Sequence, residues 1–245
     1  MCKKNGKFAT KKMHIQLNNL KKCFGEHVAV DIPHFTIGNG QVVGLVGNNG
    51  VGKTTLFRLM LDLAKATEGN VLIDGIDPAT SEDWKLLTGA FIDNSFLIDF
   101  LTAEEYFEFV GKVSGMTKEQ VEIRLKTFET FMGDEIIGKK KYIRDFSAGN
   151  KQKIGIVAAL LNSPQLVILD EPFNFLDPSS QNQLKRILTE FNRSTGATVM
   201  VSSHNLQHTV EISTRVALLE NGKIIEDIDN SDGKAEEILD KYFNV

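Results

Sequence analysis

The sequence of 245 residues lacks any apolar run near the roughly 18 residues that a membrane-spanning helix requires. Its lysine-rich start, residues 1–12, also lacks the apolar centre of a secretory signal. The only two cysteines, Cys2 and Cys23, do not form a metal or redox spacing, so a reducing cytoplasm is expected. A formal net charge of -4 provides no broad positive field, and we expect no nucleic-acid partner. Any membrane role would therefore depend on another chain.

Lysines nevertheless cluster in two places. They are Lys3, Lys4, Lys7, Lys11 and Lys12 near the start, and Lys139, Lys140 and Lys141 in the middle. We interpret these clusters as a solvated basic tail over residues 1–12 and a solvated loop, with contact to anionic lipid as the alternative.

Apolar runs of strand length recur along the chain and are separated by segments of helical periodicity. The runs lie at residues 41–46, 166–169, 197–201 and 216–219, after an alternating run at residues 13–17. Continuous apolar strands that alternate with helices predict a parallel sheet covered on both faces. Asp74-Gly75 and Asn221-Gly222 are turn pairs typical of β-hairpins.

The middle of the chain departs from this pattern. Apolar residues between Ala103 and Phe131 recur at helical spacing, and Thr117 followed by Gln120 suits the start of a helix. We expect this stretch to form a helical lobe inserted into the α/β core.

A glycine-rich segment follows the strand at residues 41–46 and precedes a helix expected at residues 56–63. It reads Gly47, Asn48, Asn49, Gly50, Val51, Gly52, Lys53, Thr54, with Thr55 next, and fits the phosphate-loop pattern. Its glycines let successive N–H groups point at phosphate oxygens, and the helix start adds positive charge. Lys53 can reach the β- and γ-phosphates, and the Thr54 hydroxyl can ligate magnesium. We therefore predict a nucleotide site.

Two carboxylates follow the apolar strand at residues 166–169. Ligands of open parallel sheets bind outside the carboxyl ends of the strands, where Asp170 and Glu171 would lie. Asp170 is suited to hold magnesium through water, and Glu171 to polarise the water that attacks the γ-phosphate. His204 follows the next strand and would reach the same edge, where its ring could hydrogen-bond the γ-phosphate.

A further segment, residues 146–152, reads Phe-Ser-Ala-Gly-Asn-Lys-Gln and precedes an apolar helix. It resembles the signature segment of ATP-binding cassette ATPases, commonly Leu-Ser-Gly-Gly-Gln. Ser147 and Gly149 at this helix start offer a hydroxyl and a backbone N–H to a phosphate. The resemblance extends over about residues 13–225.

The resemblance implies a phosphate-loop α/β fold with a mostly parallel core sheet, an antiparallel β subdomain and an inserted α-helical subdomain. It implies that Phe24 stacks on adenine, that Asp177 helps two cassettes communicate and that His204 is the switch histidine. It also implies a head-to-tail dimer with two ATP molecules between subunits, in which the loop of one subunit faces Ser147 and Gly149 of the other.

One position departs from the family pattern. Asp93 stands where the family usually has a glutamine that touches magnesium and relays coupling to the membrane partner. A carboxylate also ligates magnesium, so Asp93 is a predicted metal ligand beside Thr54 and Asp170. Some peptide-antibiotic exporters and immunity systems have glutamate here, and the form of the signature suits that branch. Asn150 also replaces the signature's glutamine.

These observations predict an ATPase, with ATP and magnesium, that energises a separately encoded multi-helix permease from the cytoplasmic face of the membrane. Export is the favoured direction. The expected cassette covers residues 13–228, with the helical subdomain at about 94–162 and a short helical tail at 229–245. A soluble scaffold cassette and a regulatory subunit with little turnover are the alternatives.

Overall fold

We describe residues 13–243 of a computed structural model, with side-chain surroundings up to residue 239. The predicted basic tail at residues 1–12 and the last two residues of the predicted C-terminal tail lie outside the described residues. The strands are β1 (Ile15–Phe24), β2 (His27–Ile37), β3 (Val42–Val46), β4 (Glu68–Ile73), β5 (Thr88–Phe91), β6 (Leu166–Leu169), β7 (Thr198–Ser203), β8 (Arg215–Glu220) and β9 (Lys223–Asp229). The helices are α1 (Lys53–Met60), α2 (Ala103–Val113), α3 (Lys118–Lys126), α4 (Glu129–Met132), α5 (Ala148–Leu160), α6 (Pro178–Thr195), α7 (Leu206–Ile212) and α8 (Ala235–Phe243).

The central sheet has the strand order β5-β6-β7-β3-β8-β9. All neighbours are parallel except β8 and β9, which form a hairpin. A second sheet, β2-β1-β4, is antiparallel. This architecture confirms the predicted α/β class with a mostly parallel core and an antiparallel part.

Strands β3, β6 and β7 are buried along their whole length. Alternate residues belong to two different buried clusters, because successive side chains of a strand point to opposite faces. Val167, Leu169, Val199 and Val201 pack with the helices that follow β5, whereas Ile168 and Met200 pack with α1 and the antiparallel sheet. Coverage of both faces explains why these strands read as continuous apolar runs.

The helical middle lies between β5 and β6 in the chain. Capping boxes begin two of its helices: Thr102 with Glu105 at α2, and Thr117 with Gln120 at α3. The predicted helix start at Thr117 is thereby confirmed. Phe107 and Phe131 are fully buried in the same cluster as residues of α5, which attaches these helices to the sheet.

The two turn pairs have different outcomes. Asn221-Gly222 joins β8 to β9, with both residues at positive φ (46° and 75°), as a hairpin turn requires. Asp74-Gly75 also forms a turn at positive φ, but the chain beyond it makes only one bridge, between Ile73 and Ile76. The expected hairpin there is limited to that bridge, because the returning segment does not continue as a strand.

The C-terminal segment packs on the core. Ala235 and Leu239 of α8 are buried with Val46 and Ile228. The side-chain amide of Asn230 donates to the carbonyl oxygens of Val210 and Ser213, both at 2.9 Å. Between residues 13 and 243, no helix combines the length and apolar character needed to cross a bilayer.

Gly89 of β5 allows α5 to lie close to the sheet. A Cβ atom at this position would be 1.8 Å from the carbonyl oxygen of Ala159. We expect Gly89→Ala to lower the free energy of unfolding by about 3 kcal/mol, since the helix backbone must move away from the strand. Urea unfolding followed by circular dichroism measures this change.

Gly38→Ala is the matched control, because its added Cβ would be 3.6 Å from the Gln41 side chain, an ordinary contact. Equal unfolding midpoints for the two variants would contradict the close approach of α5 and β5.

Candidate nucleotide-binding site

The loop between β3 and α1 is held against neighbouring backbone. Gly52 has a φ of 113°, and a Cβ there would lie 2.2 Å from the carbonyl oxygen of Ala29. Gly47 has a φ of 157°, and its Cβ would lie 2.3 Å from the carbonyl oxygen of Leu219. Side chains are thus excluded at both ends of the loop, which lets the loop lie directly against the backbone of Ala29 and Leu219.

Lys53 begins α1 and is only 6% exposed. Its Nζ donates to the carbonyl oxygens of Gly47 (2.7 Å) and Asn48 (3.1 Å) and lies 3.3 Å from Oε1 of Glu171. The ammonium group therefore sits inside the curl of the loop and faces the end of β6.

Asp170 follows β6 and is 6% exposed. Thr54 Oγ1 donates to its Oδ2, and Ser202 Oγ donates to its Oδ1. Burial raises the pKa of Asp170, while the hydrogen bonds from Ser202 and Thr54 act to lower it. A hydroxyl and a carboxylate oxygen thus lie together at the start of α1. This donor set fits magnesium, which prefers oxygen ligands.

Glu171 connects three parts of the site. Its Oε2 lies 2.8 Å from Nδ1 of His204, which follows β7. Its Oε1 is buried, accepts no hydrogen bond and has Nζ of Lys53 as its charged neighbour. Its backbone is left-handed, with a φ of 46°. The structure therefore joins the phosphate loop, the acidic pair and the histidine that the sequence placed far apart.

A cavity of about 260 Å³ adjoins this cluster. It is lined by Phe24, His27, Ala29, Asn49, Gly50, Gly52, Lys53, Thr54, Thr55 and Glu171. The Phe24 ring is 56% exposed, and Lys22 Nζ lies 4.8 Å from its centroid. The loop is also anchored to the β8–β9 turn, because the carbonyl oxygen of Val51 accepts from the Gly222 N–H at 2.9 Å. An exposed aromatic ring thus forms part of the lining of the cavity that contains the phosphate-loop residues.

Ser147, Gly149 and Asp177 lie at helix starts and are not among the residues that line this cavity. Ser147 caps α5 and accepts from the Asn150 N–H at 3.2 Å. Gly149 faces the carbonyl oxygen of Phe175, which would be 2.6 Å from an added Cβ. Asp177 caps α6, where hydrogen bonds from the Ser180 hydroxyl and N–H lower its pKa.

Asp93 is engaged with neighbours of its own. Its carboxylate accepts from the Ser95 N–H at 2.8 Å and the Ser95 hydroxyl, and it lies 3.2 Å from Nη2 of Arg58. Burial acts to raise the pKa of Asp93, but the bonds from Ser95 and Arg58 prevail and lower it. The metal role predicted for Asp93 stays a prediction, and it would require the carboxylate to leave these partners.

Three residues with polar contacts in the site were not predicted from the sequence. Arg58 donates to the Asp93 carboxylate, Gln152 donates to the carbonyl oxygen of Glu171, and the Ser202 hydroxyl contacts the acidic pair. Ser202 carried a usable signal. It is a hydroxyl residue that continues a buried apolar strand, and buried hydroxyls need partners.

The comparisons with known proteins agree with this geometry. The sequence model described as "ABC transporter" matches residues 30–174. The bacitracin transport ATP-binding protein BcrA of Enterococcus faecalis is 32% identical over 226 residues, which cover 89% of this chain and 70% of the relative. The lantibiotic transport ATP-binding protein SrtF of Streptococcus pyogenes is 31% identical over 86% of this chain and 89% of the relative.

A methionine import ATP-binding protein of Carboxydothermus hydrogenoformans is also similar, at 30% identity over 81% of this chain and 60% of the relative. Among solved structures, a dimeric ATP-binding cassette in a post-hydrolysis state with ADP and Pi aligns with a TM-score of 0.78 at 25% identity. That alignment covers 88% of this chain and 98% of the other. The chain therefore belongs to the ABC transporter family, as an ATP-binding ATPase subunit.

Proposed function

We propose that this chain binds ATP with magnesium at Lys53, Thr54 and Asp170 and uses Glu171 to activate water. We further propose that hydrolysis drives a separately encoded multi-helix permease on the cytoplasmic face of the membrane. The observation that carries the proposal is the placement of Glu171, whose two carboxylate oxygens meet Lys53 and His204.

Binding of the triphosphate follows from the loop. Its backbone N–H groups and the N-terminus of α1 supply partial positive charge, and the buried Lys53 supplies a full charge. The remaining residues that we propose for the nucleotide contact are Asn48, Asn49, Gly50, Val51 and Thr55. The ring of Phe24, which lines the same cavity, would stack on the adenine base.

Thr54 and Asp170 would hold magnesium, directly or through water, with Asp93 as a further candidate. When bound, the ion would neutralise charge on the β- and γ-phosphate oxygens. The burial of Asp170 supports this role, because a buried carboxylate with a second carboxylate, Glu171, beside it gains from a nearby cation.

Water activation is assigned to Glu171. A carboxylate whose oxygens lie near both the phosphate-loop lysine and His204 can accept a proton from water close to the γ-phosphate. His204, 44% exposed in its side chain, can turn its ring toward the same phosphate. Lys53 would neutralise the transferred group, so positioning and charge supply most of the catalysis.

A head-to-tail dimer is proposed for the two helix starts outside the cavity. Ser147 is exposed at the N-terminus of α5, where its hydroxyl and nearby N–H groups can meet a phosphate of the partner subunit. Asp177 would lie at the same junction. The dimeric cassette among the similar structures supports this arrangement.

Contact with the permease is proposed at the segment after Asp93. Phe96 and Phe100 are 47% and 62% exposed, while Leu97 between them is buried. Exposed aromatic rings on an anchored segment are typical of binding surfaces.

We also propose residues 13–228 as the cassette, with the helical subdomain at about 94–162. The bacitracin and lantibiotic relatives support export of peptide antibiotics, and the methionine relative represents the import alternative.

Glu171→Gln tests the catalytic assignment. We expect turnover to fall by at least about 100-fold, because the amide cannot accept the proton of water. ATP binding should be retained, and gel filtration with ATP should show more dimer. Glu190→Gln, at a surface carboxylate paired with Arg193, is the control and should keep full turnover. Unchanged phosphate release in Glu171→Gln would refute the assignment.

Phe100→Asp tests the permease surface. Capture of the membrane partner from detergent extracts should fall about 10-fold or more, since a charge would replace an aromatic anchor. ATP turnover of the isolated chain should not change. Ile225→Asp, on β9 and 38% exposed, is the control for a charge on another surface. Undiminished capture by Phe100→Asp, or recovery of only soluble partners with the parent chain, would count against this surface.

Deletion of the gene in its host tests the direction of transport. For an exporter of peptide antibiotics, inhibitory concentrations of bacitracin-like or lantibiotic peptides should fall. The parent chain should restore them, and Glu171→Gln should not. Unchanged sensitivity together with lost uptake of methionine or another nutrient would favour import.

A further inference from the structure

Ser202 near the end of β7 contacts both members of the acidic pair. Its side chain is fully buried (0% exposed). Its hydroxyl donates to Oδ1 of Asp170 and accepts the backbone N–H of Glu171 at 2.8 Å. A serine hydroxyl has one donor and two acceptor positions, so it makes both contacts at once. An apolar side chain of the same size could make neither.

The backbone of Glu171 needs such support. Its φ of 46° lies in the left-handed region, which non-glycine residues seldom adopt. A strained conformation persists only where the surroundings enforce it. The Glu171 carbonyl oxygen accepts from Nε2 of Gln152 (3.2 Å) and from the Asn174 N–H (3.1 Å). On the other side of Glu171, its backbone N–H donates to the hydroxyl of Ser202.

The position of the Glu171 carboxylate depends on this backbone. Its oxygens lie 3.3 Å from Lys53 Nζ and 2.8 Å from His204 Nδ1. Rotation about the left-handed backbone would move the carboxylate away from both groups. A displacement of about 1 Å at a reacting group can cost roughly 100-fold in rate.

We propose that Ser202 is a positioning residue for ATP hydrolysis, whose hydroxyl fixes the backbone of Glu171 and the carboxylate of Asp170 relative to each other. The proposal rests on the catalytic and metal roles proposed above for those two residues. Ser202 touches the acidic pair rather than the nucleotide, so its loss should affect turnover more than ATP binding.

The experiment compares Ser202→Ala, Ser202→Thr and Ser202→Val in the purified full chain. Thr and Val have nearly the same shape, and only Thr keeps the hydroxyl. We expect kcat to fall about 10- to 100-fold in the Ala and Val variants and to stay within about 3-fold in the Thr variant. KM for ATP and the affinity for a fluorescent ATP analogue should change by less than about 3-fold in all three variants.

Thr198→Val is the matched control on the other end of β7. Thr198 is equally buried, and its hydroxyl accepts from the Gly40 N–H at 3.0 Å and donates to the Gly38 carbonyl oxygen at 3.3 Å. The control should lower the melting temperature and leave kcat intact, which separates positioning from general stability.

Ser202→Ala with the kcat of the parent chain would overturn the proposal. If kcat fell equally in the Thr and Val variants, the added methyl group would explain the loss. The kcat of Ser202→Ala, which adds no volume, would then decide whether the hydroxyl matters. Glu171→Gln is measured in parallel. If that variant keeps its turnover, the proposed function itself is wrong; if it is inactive while Ser202→Ala is fully active, only the role of Ser202 is wrong.

Discussion

The parallel pairing of β6, β7 and β3 is the constraint on which the site depends. In the observed register Leu169 is level with Val201, and Val46 is level with Ser203. Asp170, the next residue after β6, is therefore carried to the level of Ser202. The phosphate loop leaves β3 at the same edge. A slip of one residue would turn each side chain to the opposite face, and the hydroxyl of Ser202 would no longer meet Asp170.

The two apolar clusters make this register costly to change. Each central strand contributes to both of them, so a shift would expose or bury the wrong residues on two faces at once. That stability supports local features that are unfavourable alone. Glu171 has a left-handed backbone, a strain of about 1–3 kcal/mol. Asp170 is a buried carboxylate, which is tolerated because the Thr54 and Ser202 hydroxyls donate to it.

Features encoded by local chemistry could be predicted from the sequence. The glycine loop, the apolar strands, the Thr117 capping box and the Asn221-Gly222 turn each depend on residues close in the chain. The Asp74-Gly75 turn shows the limit of such signals. A turn pair specifies backbone dihedrals, whereas a hairpin also needs a second strand that pairs with the first, and the segment directly after Ile76 does not form one.

Partners of polar side chains were harder to predict, because they are chosen by tertiary geometry. Asp93 is a predicted magnesium ligand because it stands where the family usually has a glutamine that touches magnesium, and nothing local indicated that Arg58, 35 residues earlier, would pair with it. The contact of Ser202 with Asp170 spans 32 residues. Burial of a hydroxyl in an apolar strand signals that a partner exists, but strand order must be known before the partner can be named.

Helix α5 connects the proposed dimer contact at its N-terminus to the backbone of Glu171. Its N-terminus carries Ser147 and Gly149, and in its second turn Gln152 donates to the carbonyl oxygen of Glu171. A helix moves as a rigid unit over such a short distance, because its backbone hydrogen bonds resist local distortion. Displacement of the α5 N-terminus would therefore reach the backbone of Glu171 through Gln152. Ser202 holds the same residue from β7, a strand fixed inside the sheet. Glu171 thus lies between one anchor on α5, a largely buried helix whose N-terminus is exposed, and one on the central sheet, and its strained backbone depends on both.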